Sequence, residues 1–477
     1  MKKHTQSPYE SSKVSYKPSG IKWLGEIPQS WENVSIRSCF TESNQRCNTD
    51  SYPLLSVTIA NGIIYQDNIE NKKDISNDDK SNYKIVPLNA VAYNKMRMWQ
   101  GAVGVNTLTT GIVSPAYIVA IPNEKILPNF VSYLFKSKIM IGEFDKNSYG
   151  LCLDMNNLRY DDFRNIKIPL PPLQEQKEIA EFLDKKCEKI QNYINKKQKL
   201  ITLLQEKKQA LIDEAVCGRV ACHTERSEVS TTAYKPSGIE YLGLIPHHWE
   251  VKKLKILFSL GNGLNITKQD FVSYGIPCVS YGEIHSKYPC RLDTSIHKLP
   301  YVSETYLADK PQSLLTKGDF VFADTSEDIE GSGNFTSIQS YMPVFAGYHT
   351  IILKPKISEI NDLYFSFLFD SFGIRSQIRK EVCGVKVFSI TKSILKEIQC
   401  LLPPLQEQEE IAEFLDSKVA QIDLVIEKTK KQIKLIKEYK NTLINEAVCG
   451  RVACSRDFSP TAQNDKGKAT QNDKKKN

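Results

Sequence analysis

The sequence lacks the short motifs that mark most catalytic sites. It contains no G-x4-G-K-[ST] phosphate loop, no G-x-S-x-G nucleophile elbow, no Asn/Asp-Pro-Pro-aromatic motif of amino-methyltransferases and no histidine-rich cluster. These absences argue against a self-contained nuclease or methyltransferase. We therefore expect a chain that is not itself an enzyme and that binds no cofactor of its own.

Long apolar runs are missing as well. No segment approaches the ~18 apolar residues that a membrane span needs, and no apolar stretch follows the lysines at the amino terminus. The content of hydrophobic residues is 41% and that of charged residues is 25%, as in ordinary water-soluble proteins. The sequence thus predicts a cytoplasmic protein with no membrane contact.

Metal-ligand spacings are scarce although the chain has 12 cysteines. The recurring pairs are Cys217/Cys222 and Cys449/Cys454, whose C-x4-C spacing is longer than most zinc spacings. A histidine follows only the first pair. We expect reduced thiols and no metal site.

Charge of one sign is only in small excess. The net charge is +8 and is thinly spread, partly over a polar tail at 455–477 that we predict to be disordered. Any contact with a polyanion must then come from local clusters of cations.

A duplicated block dominates what is present. Residues 171–222 and 403–454 align without a gap and are identical at 33 of 52 positions. Each copy opens with paired prolines and closes near a glycine, Gly218 or Gly450, which are start and stop signals of a helix. Each copy is therefore predicted to be one long helix.

Both predicted helices carry a heptad seam typical of a coiled coil. The first seam runs from Leu183 to Ala215 and the second from Leu415 to Ala447, with breaks at equivalent positions. At ~1.5 Å per residue each seam spans about 50 Å. The alternative is a helix that lies on the core of its own domain.

A second repeat precedes each variable region. Residues 16–32 and 234–250 agree at 12 of 17 positions, and we interpret them as a packing motif around a buried Trp31 or Trp249. Only residues 223–233 connect the first helix to the second motif, too few to return along a 50 Å rod comfortably. Antiparallel helices and an approximate two-fold relation between the halves follow.

The variable regions 33–170 and 251–402 alternate short strand patterns with turns, which predicts two mixed α/β domains. The predicted elements are strands 52–59, 112–121, 276–281, 319–323 and 350–353, and helices 130–144 and 363–379. The order of the strands stays open.

Polar and aromatic residues cluster in stretches that we predict to be loops. Amides and guanidinium groups can read base edges and lysines can hold phosphates, although such clusters are often ordinary solvated loops. The candidate DNA-binding residues are Tyr93, Asn94, Lys95, Arg97, Trp99, Gln100, Tyr281, His285, Lys287, Tyr288, Thr325 and Ser326.

The assembled motifs resemble the specificity subunits of type I restriction-modification systems. The resemblance rests on LPPLQEQ-x2-IA-x-FLD at the start of each helix, EAVCGRV at its end, YKPSGI…LG-x-IP-x2-WE before each variable region, and YNKMRMWQGA with GIVSPAY in the first. It covers nearly the whole chain.

The resemblance implies a division into parts with distinct roles. They are a target-recognition domain at 1–170, a spacer helix at 171–222, a linker at 223–233, a second target-recognition domain at 234–402, a second spacer helix at 403–454 and the tail at 455–477. Each domain would read one half of a split, asymmetric site in double-stranded DNA, and the helices would fix the gap.

The same resemblance implies partners and their cofactors. Two modification (methyltransferase) subunits would use S-adenosylmethionine, and restriction (motor-nuclease) subunits would use ATP and Mg. Two alternatives remain: a coiled-coil scaffold that does not bind specific DNA, and a silent copy that serves recombination.

Overall fold

The structure is a computed structural model that describes residues 15–47, 52–69, 80–150, 156–219, 233–239, 242–287, 290–382 and 387–452. The predicted disordered tail, nearly all of the predicted linker and the candidate Tyr288 lie outside these residues. The chain divides into two compact units, Met1–Lys196 with Gln432–Asn477, and Lys197–Lys431.

The first unit holds a mixed α/β domain and one half of each long helix. Its strands are β1 (Tyr16–Pro18), β2 (Glu26–Pro28), β3 (Glu32–Ser35), β4 (Phe40–Ser43), β5 (Leu55–Thr58), β6 (Gly62–Tyr65), β7 (Lys84–Val86), β8 (Val91–Asn94), β9 (Val103–Val105), β10 (Gly111–Val113), β11 (Tyr117–Pro122) and β12 (Lys167–Leu170). Its helices are α1 (Pro128–Lys136), α2 (Lys138–Lys146), α3 (Tyr160–Phe163) and the start of α4 (Leu173–Val216).

The second unit repeats this plan with additions. Its strands are β13 (Tyr234–Pro236), β14 (Leu244–Pro246), β15 (Glu250–Lys253), β16 (Phe258–Asn262), β17 (Ile276–Val279), β18 (Cys290–Leu292), β19 (Tyr301–Val302), β20 (Leu314–Leu315), β21 (Phe320–Ala323), β22 (Thr325–Ser326), β23 (Phe335–Ile338), β24 (Val344–Ala346), β25 (Thr350–Pro355), β26 (Phe388–Ser389) and β27 (Gln399–Leu402). Its helices are α5 (Leu254–Leu257), α6 (Tyr281–Ser286), α7 (Tyr306–Asp309), α8 (Asp362–Asp370), α9 (Phe372–Glu381), α10 (Lys392–Glu397) and the start of α11 (Leu405–Val448).

The main sheets of the two domains share one strand order. The order is β4-β11-β8-β9 in the first domain and β16-β25-β21-β23-β18 in the second, with antiparallel pairing among the four shared strands. A two-stranded ribbon joins the start and the end of each domain directly before the long helix. It consists of β3 and β12 in the first domain and of β15 and β27 in the second. The duplication in the sequence is therefore also a duplication of topology.

The two long helices, α4 and α11, are each 44 residues long and confirm the predicted helical blocks. Gly218 and Gly450 follow them with φ values of 68° and 73°, in the left-handed region where glycine ends a helix without strain. No position of either predicted seam is exposed. Lys208 is a charged residue in the largely apolar seam of α4. Its Nζ forms an ion pair with Asp423 Oδ2 of α11 at 2.8 Å.

A buried tryptophan in each unit shows that the helices pack antiparallel. The Trp31 indole donates a hydrogen bond to Glu175 in the first turn of α4 at 2.7 Å. The same ring touches the end of α11, where a Cβ added to Gly450 would lie 3.2 Å from it. In the second unit Trp249 likewise joins Glu407, at 2.8 Å, to Gly218. The antiparallel prediction and the buried tryptophans are confirmed.

Three predicted elements are each split in two. The strand predicted at 112–121 is β10 and β11, separated by a turn in which Tyr117 N–H donates to Ser114 O. The helices predicted at 130–144 and 363–379 break at Ser137 and Ser371, where ψ is 143° and 150°. Each serine hydroxyl accepts the N–H of the third residue of the next helix, so it caps a new helix and does not continue the old one.

Candidate nucleic-acid interface

The candidate loop of the first domain connects β8 to β9. Asn94 ends β8 and its side-chain oxygen accepts the N–H of Met96 at 3.0 Å, while Trp99 donates its indole N–H back to Met96 O at 3.0 Å. A short helical turn over 98–100 then ends at Gly101, whose φ is 89°. These local bonds fold residues 94–101 into a compact hairpin tip.

Lys136 fastens this tip to the domain. Its Nζ donates to the carbonyl oxygens of Gly101, Ile59 and Thr58 at 3.0, 2.7 and 3.1 Å. Burial lowers the pKa of Lys136 to about 8, although three carbonyl acceptors favour its charged form. One ammonium group on α1 thus fixes both the candidate loop and the turn between β5 and β6.

Arg97 is the exposed cation of the tip. Within the described residues its side chain makes no hydrogen bond and no ion pair. The candidates Asn94, Lys95, Trp99 and Gln100 lie around it and are half-buried. An exposed, unengaged guanidinium on a rigid loop is well suited to a base edge or a phosphate.

Tyr93 must be removed from the candidate contacts. It lies on β8 between β9 and β11, is 0% exposed, and packs its ring 4.9 Å from that of Phe163. Burial raises the pKa of its hydroxyl well above the usual value. Tyr93 is a core residue because it belongs to a central strand and not to the loop that follows.

Two further cations lie beside the loop, Lys84 and Arg46, and neither is among the DNA-binding residues predicted from the sequence. Burial lowers the pKa of Lys84; Glu42 opposes that shift, whereas the nearby charges of Arg46 and Lys95 lower it further. Lys84 and Arg46 are also bridged through their backbones. Only the fold brings these cations towards Lys95, so no local pattern could have revealed the cluster.

In the second domain two separate predicted stretches do meet. His285 on α6 has its Nε2 2.8 Å from the carbonyl oxygen of Thr325 on β22, and the rings of His285 and Tyr281 lie 6.2 Å apart. The contact spans 40 residues of sequence. The structure therefore brings Tyr281, His285, Thr325 and Ser326 into one region.

His285 holds this region together and is not a free reading group. Asn334 donates to His285 Nδ1 at 2.9 Å and accepts from Arg375 at 2.9 Å, and Arg375 pairs with Asp370 at 2.8 Å. Both ring nitrogens are thus engaged within the protein, with Nε2 donating to Thr325. The structure gives His285 a positioning role, and its contact with DNA stays a prediction.

Ser326 and Lys287 differ in accessibility. Ser326 is only 5% exposed and its hydroxyl accepts the N–H of Asp328 at 3.4 Å, so it shapes the turn and is too buried to be a direct DNA contact in this conformation. Lys287 is exposed, and its Nζ lies 3.9 Å from a carboxylate oxygen of Glu283. Tyr288 lies outside the described residues.

Asp324 and His349 join the site; Asp324 belongs to the polar stretch of Thr325 and Ser326, whereas nothing in the sequence pointed to His349. Asp324 Oδ1 accepts the Thr325 hydroxyl at 2.7 Å and lies 3.2 Å from His349 Nδ1. The ring of Tyr281 lies 5.4 Å from that of His349 and 5.5 Å from that of Tyr348. Tyr348 and His349 come from the turn between β24 and β25, and the sequence of this turn does not distinguish it from other turns.

The two candidate loops occupy the same place in the shared topology. Residues 95–102 connect β8 to β9, and residues 324–334 connect the equivalent strands β21 and β23. Each loop is also fastened by a cation, Lys136 in one domain and Arg375 in the other. The two domains therefore present different side chains from one equivalent position.

The described parts of the chain contain neither a metal-binding cluster nor a helix that could span a membrane. No group of three or more histidine, cysteine, aspartate or glutamate side chains there is placed to hold a metal ion. None of the helices described is both long and apolar enough to cross a bilayer.

Comparison with known proteins gives one consistent result. The family described as "Type I restriction modification DNA specificity domain" matches residues 28–204 and 246–435. The type I restriction enzyme MjaVIII specificity subunit of Methanocaldococcus jannaschii is 28% identical over 350 residues, which cover 72% of this chain and 74% of that protein.

Solved structures share the fold at low sequence identity. A chain from a structure concerning complex assembly and conformational transition of the type I R-M system matches with a TM-score of 0.63 and 15% identity, covering 89% of this chain and 99% of the other. The HsdS subunit from Thermoanaerobacter tengcongensis matches with a TM-score of 0.50 and 16% identity, covering 89% and 98%. With family matches across both α/β domains, this chain belongs to the type I restriction-modification specificity subunits, whose role is DNA sequence recognition.

Proposed function

We propose that each α/β domain reads one half of a bipartite, asymmetric site in double-stranded DNA. The observation that carries this is the pair of topologically equivalent loops with unlike side chains, cationic around Arg97 and acidic and aromatic around Asp324. Equivalent positions give the two domains equivalent access to a duplex. Unlike side chains give them different base preferences, hence two different half-sites.

We propose further that the paired helices set the gap between the half-sites. Support comes from the way each domain is fastened to its helix. The Gln176 side chain is fully buried and bonds to the backbone of Leu127, Lys125 and Pro171, and Gln408 does the same in the second domain. A domain held so firmly at a helix start takes its position from the length of the helices.

The helices also carry apolar residues that face away from the seam. Leu203 of α4 and Leu435 of α11 are 50% and 64% exposed and stand at equivalent positions of the duplication, as do Tyr193 and Val425. Each unit contains one residue of each pair. Exposed apolar residues at matching positions in both units favour two copies of one partner, and we assign these positions to the two modification subunits.

The remaining chemistry is assigned to the partners. In this proposal the modification subunits bind S-adenosylmethionine and methylate adenine, the restriction subunits bind ATP and Mg, and this chain contributes recognition alone. The docking assignment is tested with Leu203→Glu/Leu435→Glu. This double variant should lose co-purification with the modification subunit, whereas Glu206→Gln/Glu438→Gln, at equivalent positions of the two helices, should retain it.

The recognition proposal is tested by mapping methylated adenines. The chain is co-expressed with its modification subunit in a host without other adenine methylation, and the genome is read by long-read sequencing. We expect a split motif with two unlike specific parts around a gap of fixed length. A stable complex that methylates no defined motif would contradict the proposal and favour a scaffold or a silent copy.

A further inference from the structure

The charge at the start of the candidate loop is reversed between the two domains. The ladder between the second and third shared strands ends at Asn94↔Tyr117 in the first domain and at Ala323↔Thr350 in the second. The next residue is Lys95 in one and Asp324 in the other. A cation and a carboxylate thus stand at one equivalent position.

Asp324 is oriented and retains one oxygen for a ligand. Its Oδ1 accepts the Thr325 hydroxyl and faces His349 Nδ1, while its backbone bonds to His349 O at 3.1 Å and to the N–H of Ile390 at 2.8 Å. In the described chain Oδ2 has no hydrogen-bond partner, and the side chain is 32% exposed. Two contacts therefore hold Oδ1 and two hold the backbone of Asp324, while Oδ2 is open.

His349 supports this carboxylate at a conformational cost. Its φ is 54°, in the left-handed region that costs a residue with a side chain about 1 kcal/mol or more. Its ring is exposed and makes edge contacts with the rings of Tyr281 and Tyr348 at 5.4 and 6.0 Å. Strain at an exposed, convergent cluster is typical of a binding position.

A carboxylate on a DNA-reading surface can pair with only a few of the groups that a duplex presents. Phosphates repel it, and the carbonyl and ring-nitrogen acceptors of the bases offer it no hydrogen. The exocyclic amino groups do offer one, and cytosine N4 is the usual partner of aspartate in the major groove.

On the basis of the proposed function, we propose that Asp324 accepts a hydrogen bond from the N4 amino group of a cytosine in the second half-site. His349 is a positioning residue that holds Oδ1, so that Oδ2 points to the base. Lys95 makes the first domain unable to read a cytosine at the equivalent position.

The test compares methylated motifs of complexes that contain the wild-type chain or Asp324→Asn. Asparagine keeps the size of the side chain but adds a donor and pairs well with adenine. We expect one cytosine position of the second half-site to lose about tenfold or more of its preference over other bases, with the first half-site unchanged. Glu304→Gln removes an exposed carboxylate elsewhere in the same unit and should leave the motif unaltered.

The outcomes separate this inference from the proposed function. A wild-type complex without a split motif would contradict the proposed function. A split motif that Asp324→Asn leaves unchanged would overturn only the role of Asp324. If Asp324→Asn does not assemble, His349→Asn is used, because asparagine tolerates the left-handed backbone; it should weaken preference at the same position, and an unchanged motif would again overturn the inference.

Discussion

At the scale of single residues, we propose Arg97 as a DNA contact of the first domain because its side chain is exposed at the tip of the loop. Arg97→Ala should weaken binding to duplexes carrying the first half-site by about 5-fold to 150-fold, because a bidentate base contact contributes about 1–3 kcal/mol. Binding is measured by fluorescence anisotropy with the modification complex at fixed salt. Arg37→Ala removes another exposed arginine of the same unit, outside the loop, and is the control. A change within twofold for Arg97→Ala would reject this residue as a contact.

Gln176 is buried at the junction of domain and helix, where its side-chain amide makes hydrogen bonds with three backbone groups. Gln176→Leu leaves the N–H of Leu127 and the carbonyls of Lys125 and Pro171 without partners. We expect about 3 kcal/mol of destabilisation and a fall of about 10 °C in the unfolding midpoint of the first unit, followed by calorimetry. Gln174→Leu, exposed in the same turn, should change the midpoint by about 1 °C or less. Equal midpoints for both variants would contradict the role of Gln176.

At the scale of elements, the end of α11 is set by Gly450. A Cβ there would lie 2.5 Å from Pro28 Cδ, and the φ of 73° is unfavourable for alanine. Gly450→Ala should therefore cost about 3 kcal/mol through strain and overpacking. Gly142→Ala is the matched control, because a Cβ in that turn of α2 meets nothing and alanine favours helix. If the unfolding midpoint of Gly450→Ala is as high as that of Gly142→Ala, the close packing of Gly450 against Pro28 contributes no stability.

The elements that could be predicted were those with long periodic patterns. The heptad seams fix α4 and α11 because more than four repeats leave little ambiguity of period. The breaks at Ser137 and Ser371 were missed because the apolar periodicity continues through them and only one hydroxyl caps each new helix. Tyr93 was misplaced because the end of a short strand looks like the start of the loop that follows.

The candidate site was predictable only where its residues are close in sequence. The loop around Arg97 is one stretch, so its composition indicated it. The pairing of Asp324 with His349 depends on the turn between β24 and β25, 25 residues further along the chain. The same holds for Lys84 and Arg46 beside Lys95, since tertiary contacts alone bring these cations together.

At the scale of the whole molecule, the duplication is consistent with our proposal that one chain reads an asymmetric site. The two halves repeat the tryptophan motif, the sheet order, the buried glutamine and the long helix, which fixes where each reading loop stands. The side chains on that loop are the part that differs. The framework that the two halves share and the loops in which they differ are thus separate in structure, which is what the proposed recognition of two unlike half-sites requires.

In our proposal the helices determine the distance between the two half-sites, so lengthening both helices should lengthen the gap. Seven residues that continue the heptad are inserted into α4 after Lys196 and into α11 after Lys431, where both helices pass from one unit to the other, and methylated motifs are mapped as for the wild type. The insertions add about 10 Å, so the account predicts both half-sequences unchanged and a gap about three base pairs longer. An active complex with the original gap would contradict it.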